Sequence, residues 1–242
     1  MLCTNQKDDI LSDRELVIQK LSKRYDYEEC YEDGRLVLKK QNLKLVEIKD
    51  TPRDKEDYIK IMIDYVHYIN DHYFSVDIHK VDFEECFYQE IIKDKDKKKI
   101  PLFLAYINNN LIGTTGVSKY FEYNSNNTIE MFYEVSNRFP ILKQKNGNIG
   151  MAGMSLFFMS YLYALRIKDA YFMFLTSKQN NSLFLHLINS DLYYFNFINK
   201  PYAIKEPFYS NPETLFFYFD KGFSKEKYND LISVYMEKFF SH

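Results

Sequence analysis

Glu134-Val135-Ser136-Asn137-Arg138-Phe139, followed by Pro140-Ile141-Leu142-Lys143-Gln144-Lys145-Asn146-Gly147-Asn148-Ile149-Gly150-Met151-Ala152-Gly153, takes the chain from an alternating strand into an apolar helix. Upstream, Thr128–Phe139 sets Glu130, Phe132, Glu134 and Ser136 on one side and Met131, Tyr133 and Val135 on the other, the period of a strand. Downstream, Met151–Ile167 is hydrophobic almost all round, which predicts a helix buried against a sheet. Glycine is scarce, seven in 242 residues, yet Gly147, Gly150 and Gly153 all fall in this one junction. A helix N-terminus carries unpaired N–H groups and partial positive charge, and glycine lets a phosphate approach the backbone closely. Lys143 and Lys145 add charge beside it. The junction predicts a phosphate or pyrophosphate site; the alternative is a flexible loop whose glycines only satisfy turn geometry.

Working outward, Leu111–Phe121 and Pro101–Ile107 are β-rich, and Asn108-Asn109-Asn110 between them tolerates the left-handed backbone of a hairpin turn. Before them, 82–93 is a helix with Phe83, Phe87 and Ile91 on one stripe. Thr51-Pro52 opens a longer helix, with Thr as N-cap and Tyr58, Ile61, Met62, Tyr65, Val66 and Ile69 on its buried face. Arg35–Lys39 and Leu43–Ile48 read as strands, and 12–24 as a short helix that opens on Ser12 and Glu15 in capping-box spacing. Beyond the junction, Ala170–Thr176 is an all-apolar strand of the parallel, buried type. A short helix over Asn180–Asn189, a strand over Thr214–Asp220 and an amphipathic helix over Ser224–Phe240 complete the order. The pattern predicts one mixed α/β domain over 43–222. A helical/β extension, 1–42, precedes it and a packed helix, 223–242, follows.

Composition narrows the function classes. A net charge of -2 gives no global basic field for nucleic acid or an acidic membrane, so no nucleic-acid partner is expected. Met1–Asp13 has no apolar core of a secretory signal, and Met151–Leu165 is shorter than the ~20 residues that span a bilayer. Cys3, Cys30 and Cys86 are odd in number and widely spaced, which fits a reducing compartment. The expectation is a cytoplasmic protein without a transmembrane segment. With 22 Tyr, 21 Phe and no Trp, the chain is aromatic in the way an AT-rich coding sequence produces. A lipid tunnel would also use such residues, but composition alone does not support one.

The element order and the run Gln144-Lys145-Asn146-Gly147-Asn148-Ile149-Gly150 resemble the GNAT superfamily of acyl-CoA N-acyltransferases, whose signature between strand and helix is Q/R-x-x-G-x-G/A. The first four positions match, and the second glycine comes one residue late. The resemblance covers about 43–220, including Leu111-Ile112-Gly113-Thr114 after the hairpin turn and Asn180 after the strand Ala170–Thr176. It implies a mainly antiparallel mixed sheet flanked by helices, here with extra helices at both ends. It also implies acetyl-CoA or a longer acyl-CoA as co-substrate, or an acyl-carrier protein as donor, and a small amine or amino acid as acceptor. Gln144, Gly147, Asn148 and Gly150 would hold the pyrophosphate, Arg138, Phe139 and Ile141 would line the pantetheine arm, and Asn180 would join the donor site. Glu134-Val135-Ser136-Asn137-Arg138-Phe139, Tyr202 and Asn211-Pro212-Glu213-Thr214-Leu215 are most similar to the branch that makes N-acyl amino acids and acyl-homoserine lactones. The family's tyrosine acid, counted from Asn180, falls on Leu187, with His186 beside it.

Amide formation from a thioester needs a base to take the amine's proton, and a partly desolvated carboxylate suits that task. Glu134 is the expected base, with Glu130 on the same face; the alternative is that either pairs with a lysine at the rim. His186, among Leu183, Leu185 and Leu187, is either an acid or a packed core histidine. His67 and His72 are five apart and His79 stands alone, which does not make a zinc set, so no metal is expected. There is no Gly-x-Ser-x-Gly elbow, and no cysteine has a nucleophile's neighbours. Direct N-acyl transfer is the leading expectation, and a non-catalytic acyl-CoA-binding or scaffold protein of the same fold is the alternative.

Overall fold

The computed structural model describes residues 13–72, 76–93, 100–125, 128–142, 150–167, 171–177, 193–197, 202–203, 212–213 and 215–220; for 118–136 and from 171 onward the description is of the backbone. Helix α1 (Asp13–Tyr25) leads into three strands, β1 (Glu28–Glu32), β2 (Arg35–Lys40) and β3 (Leu43–Glu47). Helix α2 (Pro52–His72), a 3-10 turn (Ile78–Lys80) and helix α3 (Phe83–Phe87) follow, and α3 runs on as a π turn (Tyr88–Lys93). Next come β4 (Leu102–Ile107), β5 (Asn110–Ser125) and β6 (Thr128–Arg138), then helix α4 (Gly150–Ile167). The chain closes with β7 (Tyr171–Ser177), β8 (Tyr193–Phe197), β9 (Tyr202–Ala203), β10 (Pro212–Glu213) and β11 (Leu215–Asp220).

Nine strands form one sheet in the order β1-β2-β3-β4-β5-β6-β7-β11-β8, while β9 and β10 pair separately. The first six run as an antiparallel meander. The β6–β7 pair is parallel, and β7–β11 and β11–β8 are antiparallel. This is the mixed, mainly antiparallel sheet flanked by helices that the sequence predicts. Local chemistry accounts for its turns. Asp33 and Gly34 both have positive φ, 49° and 72°, as do Asn108 and Asn109, 51° and 62°. Two consecutive left-handed residues make the hairpin turn whose twist suits flanking strands. Thr51 caps α2 by accepting from the Asp54 N–H at 3.2 Å, as its position before Pro52 predicts.

The helices cover both faces. On one side α1 and α4 pack against Leu36, Leu38, Phe103 and Ala105, with Tyr25 stacked on Phe158 at 4.5 Å. Helix α4 is buried from Gly153 to Leu165 except at Ser155 and Tyr163, which agrees with its apolar sequence. Its polar residue Ser160 donates to the Phe157 carbonyl at 2.8 Å and lies 3.0 Å from the Thr115 hydroxyl. On the other side α2 and α3 pack Tyr58, Ile61 and Phe87 onto Leu102 and Leu104. Alternation along β4 therefore feeds both layers, Leu102 and Leu104 to one and Phe103 and Ala105 to the other.

Three features differ from the sequence reading. Strand β1 was not expected, because Glu28, Glu29 and Glu32 mask its β character. The stripe of 82–93 is helical throughout, but its second half has π geometry. Strands β8, β9 and β10 were not expected either. The expected helices over Asn180–Asn189 and Ser224–Phe240 lie outside the described residues.

Candidate functional site: the parting of two parallel strands

Strand β6 is paired with β5 along its length, from Ser125↔Thr128 to Thr114↔Arg138. Its parallel pairing with β7 is short: Phe132↔Tyr171, Tyr133↔Phe172 and Glu134↔Met173. Past this point β6 continues over Val135–Arg138 and β7 over Phe174–Ser177, and among the described residues no ladder pair joins the two. The outer edge of β7 is meanwhile taken by β11, from Met173↔Phe219 to Ser177↔Leu215. Two facing strand edges with backbone donors and acceptors thus open beyond Glu134. An extended polar arm can pair with such an edge.

The open half of β6 leads straight into the glycine-bearing junction. Phe139 is fully buried, Ile141 is exposed, and the chain re-enters the described structure at Gly150, the first residue of α4. Gly150 has φ 59°, a left-handed conformation that favours glycine at this entry to the helix. Its neighbour Met151 is largely exposed, with the Arg24 guanidinium 3.7 Å from its sulfur. Gln144, Gly147 and Asn148 lie outside the described residues, as do Asn180 and His186. Glu130 and Glu134 are in β6, and Glu134 is the last residue of that strand paired with β7.

Two glycines of β5 let the sheet close up behind the open edge. A Cβ on Gly113 would lie 2.0 Å from the Arg138 carbonyl oxygen and 2.8 Å from the Phe139 ring. One on Gly116 would meet Leu102 at 2.8 Å. The last residue of β6 can therefore settle onto β5 only where no side chain intervenes.

The Arg138 side chain has a task of its own. Its guanidinium donates to both oxygens of Glu90, at 2.8 and 2.7 Å, and both side chains are largely buried. Burial works against the charge, but the Glu90 carboxylate outweighs it and the Arg138 pKa stands well above the ordinary arginine value. Tyr58 is close enough to feel both charges; burial above all pushes its phenol well up, so it stays protonated. The Tyr58 hydroxyl, fully buried, faces the Glu90 carboxylate, whereas the fully buried Thr114 Oγ1 has no hydrogen-bond partner. Burial, with Glu90 next, also raises the Cys86 thiol, which keeps it from acting as a thiolate nucleophile. The sequence reading missed Glu90 and Tyr58. The only local signal was their membership of two amphipathic helices, which does not name a partner 48 residues away.

Among the described residues no cluster of His, Cys, Asp and Glu is arranged to hold a metal ion, and no helix is long and apolar enough to cross a membrane. A surface groove of about 530 Å³ runs along the outer side of α2 past Lys55, Ile59, Lys60 and Ile63 to Glu84 of α3.

No family model matches the sequence, and no curated protein matches it. Solved structures do align with the chain. An acetyltransferase from Streptococcus agalactiae is 14% identical with a TM-score of 0.45, covering 74% of this chain and 98% of its own. A GNAT-family acetyltransferase from Bacillus anthracis is 13% identical with a TM-score of 0.42, over 76% of this chain and 96% of its own. An acetyltransferase from Salmonella typhimurium that modifies the N-terminal serine of ribosomal protein L7/L12 is 10% identical with a TM-score of 0.41, over 74% and 95%. Likeness at this level carries no activity from those proteins to this one.

Proposed function

We propose that this protein transfers an acyl group directly from the thioester of acyl-CoA, or of an acyl-carrier protein, to a primary amine in the cytoplasm. The parting of β6 from β7 after Glu134, beside a glycine-bearing strand-to-helix junction, carries the proposal. The pantetheine arm would pair with the open edge of β6 near Arg138, Phe139 and Ile141. The pyrophosphate would sit on the amides of Gln144, Gly147, Asn148 and Gly150, where the start of α4 favours an anion, with Asn180 contributing from beyond β7. Glu134, aided by Glu130, would take the amine's proton as nitrogen attacks the thioester carbonyl. That attack forms the C–N bond and a tetrahedral oxyanion; its collapse restores the C=O bond and breaks the C–S bond, and the departing sulfur takes a proton from His186 or water. Positioning the two reactants supplies much of the rate without a covalent enzyme intermediate. The acceptor is an amine or amino acid, in keeping with the resemblance to the N-acyl amino acid and acyl-homoserine lactone branch. Leu187, where the resemblance to the GNAT superfamily implies a tyrosine acid, favours a second reading, a protein that binds acyl-CoA without turnover.

The test has two parts. CoA should raise the Tm of the wild type by mass action, and Gly147→Glu should abolish the shift. Glu134→Gln should cut amide formation by about 10²–10⁴ at neutral pH with CoA affinity nearly unchanged, and higher pH should partly rescue it. Full activity of Glu134→Gln removes Glu134 as the base. CoA binding with no transfer to any amine supports the binding-protein reading.

A further inference from the structure

The Arg138–Glu90 pair joins the last residue of β6 to the π turn that prolongs α3. It stands four residues past Glu134, within the stretch where β6 has lost β7 and keeps ladder pairing on the β5 side alone. A bidentate carboxylate–guanidinium bond fixes both the position and the rotation of the planar group. Burying such a pair is seldom the most stable solution, since apolar residues of the same volume do as well or better. The fold nonetheless places this pair against the buried phenol of Tyr58, which meets Glu90, and beside a buried hydroxyl without a partner, Thr114 Oγ1. Strand register brings Thr114 directly opposite Arg138. Local rules broken together in one place mark a site kept for something besides stability.

The π turn bears on the same point. Wider winding is used mostly in single turns and often at functional sites. Here it carries Glu90, the residue that reaches Arg138 from α3.

We infer that Glu90 and Arg138 are positioning residues, a clamp that holds the open half of β6 at a fixed distance from β7 so that a thioester arm can enter between them. This rests on the acyl-donor reading above. Without the clamp, Val135–Arg138 has β5 on one side and no described ladder partner on the other, and it loses its bond to the π turn that prolongs α3.

The experiment is titration of CoA into the full-length chain by calorimetry, at one temperature well below every variant's Tm. The variants are Glu90→Gln/Arg138→Met, which removes both charges and leaves no unpaired ion, and Arg138→Lys, which keeps the charge but loses the fork. The double variant is expected to fold and to bind CoA at least about tenfold more weakly, with Arg138→Lys more than about threefold weaker than wild type but less affected than the double variant. A purely structural ion pair would change Tm and leave Kd alone. A double variant with Kd within threefold of wild type overturns the clamp; if it does not fold, the same criterion passes to Arg138→Lys. Wild type that binds no CoA at all overturns the donor reading and the clamp together, so the two failures are told apart.

Discussion

Gly113 shows how one missing side chain shapes the region around the open edge. Its hypothetical Cβ falls 2.0 Å from the Arg138 carbonyl oxygen, a backbone atom that moves only if β5 and β6 separate or the end of β6 swings away. Gly34 is a different case: its φ of 72° disfavours a side chain, but nothing lies within 4 Å of where a Cβ would be. Alanine at Gly34 therefore meets only the left-handed penalty, about 1 kcal/mol. Alanine at Gly113 meets overpacking against backbone, about 3 kcal/mol or more. Urea denaturation of Gly34→Ala and Gly113→Ala should rank them in that order, and Gly113→Ala should also weaken CoA binding because it displaces Arg138. Equal losses of stability would mean that the β5–β6 contact yields cheaply. This contact was not legible in the sequence. Glycine scarcity drew attention to Gly147, Gly150 and Gly153, whereas the need for glycine at 113 arises from a carbonyl 25 positions further on.

At the scale of elements, three local signals are borne out, while β8, aromatic in four of its five positions, is missed. The Thr51-Pro52 cap, the Asn108-Asn109 turn and the apolar stretch of α4 each carry their own cause within a few residues. Strand β1 escaped because its support is remote: Glu32 is bonded to Lys39 of β2 and, at 2.6 Å, to Lys44 of β3. The same remoteness hid the parting of β6 and β7, which depends on where a pairing stops, and the Glu90–Arg138 bond. The Glu32 arrangement makes a pH prediction. The bond to Lys39, then the bond to Lys44, lowers the Glu32 pKa to about 2. A depressed carboxylate contributes stability that is complete above its unfolded value, near 4.5, and is lost as pH falls through about 2. The stability gap between wild type and Glu32→Gln should thus be constant from pH 7 to 5 and shrink between about 4.5 and 2. Urea midpoints at several pH values read this directly, and a gap that persists unchanged to pH 2 would show that the two lysines do not hold Glu32 in solution.

Across the whole molecule, the sheet is covered on one face by α1 and α4 and on the other by α2 and α3, and its described strands are paired from β1 to β8. The β6–β7 junction is its short seam, with three described pairs against eleven between β5 and β6. In a strand edge roughly every second amide points across to the neighbour, so a seam that opens past Glu134 presents exchangeable N–H groups from both 135–138 and 174–177. If the donor's arm takes the place of the missing ladder pairs, it should bond some of these amides and shield the rest. Ligand bound at about 100 times its Kd stabilises the bound form by about 2.7 kcal/mol, enough to slow local exchange by up to ~100-fold where exchange requires ligand release. Hydrogen–deuterium exchange of the full chain with and without CoA should therefore show slowing in peptides over 135–142, 150–153 and 174–177. Peptides over β1–β3 and over the outer side of α2 from Lys55 to Asp64 should be unchanged. Slowing confined to the α2 groove would put the nucleotide on the surface of the helical layer, and β6 and β7 would then part for a reason unconnected with CoA.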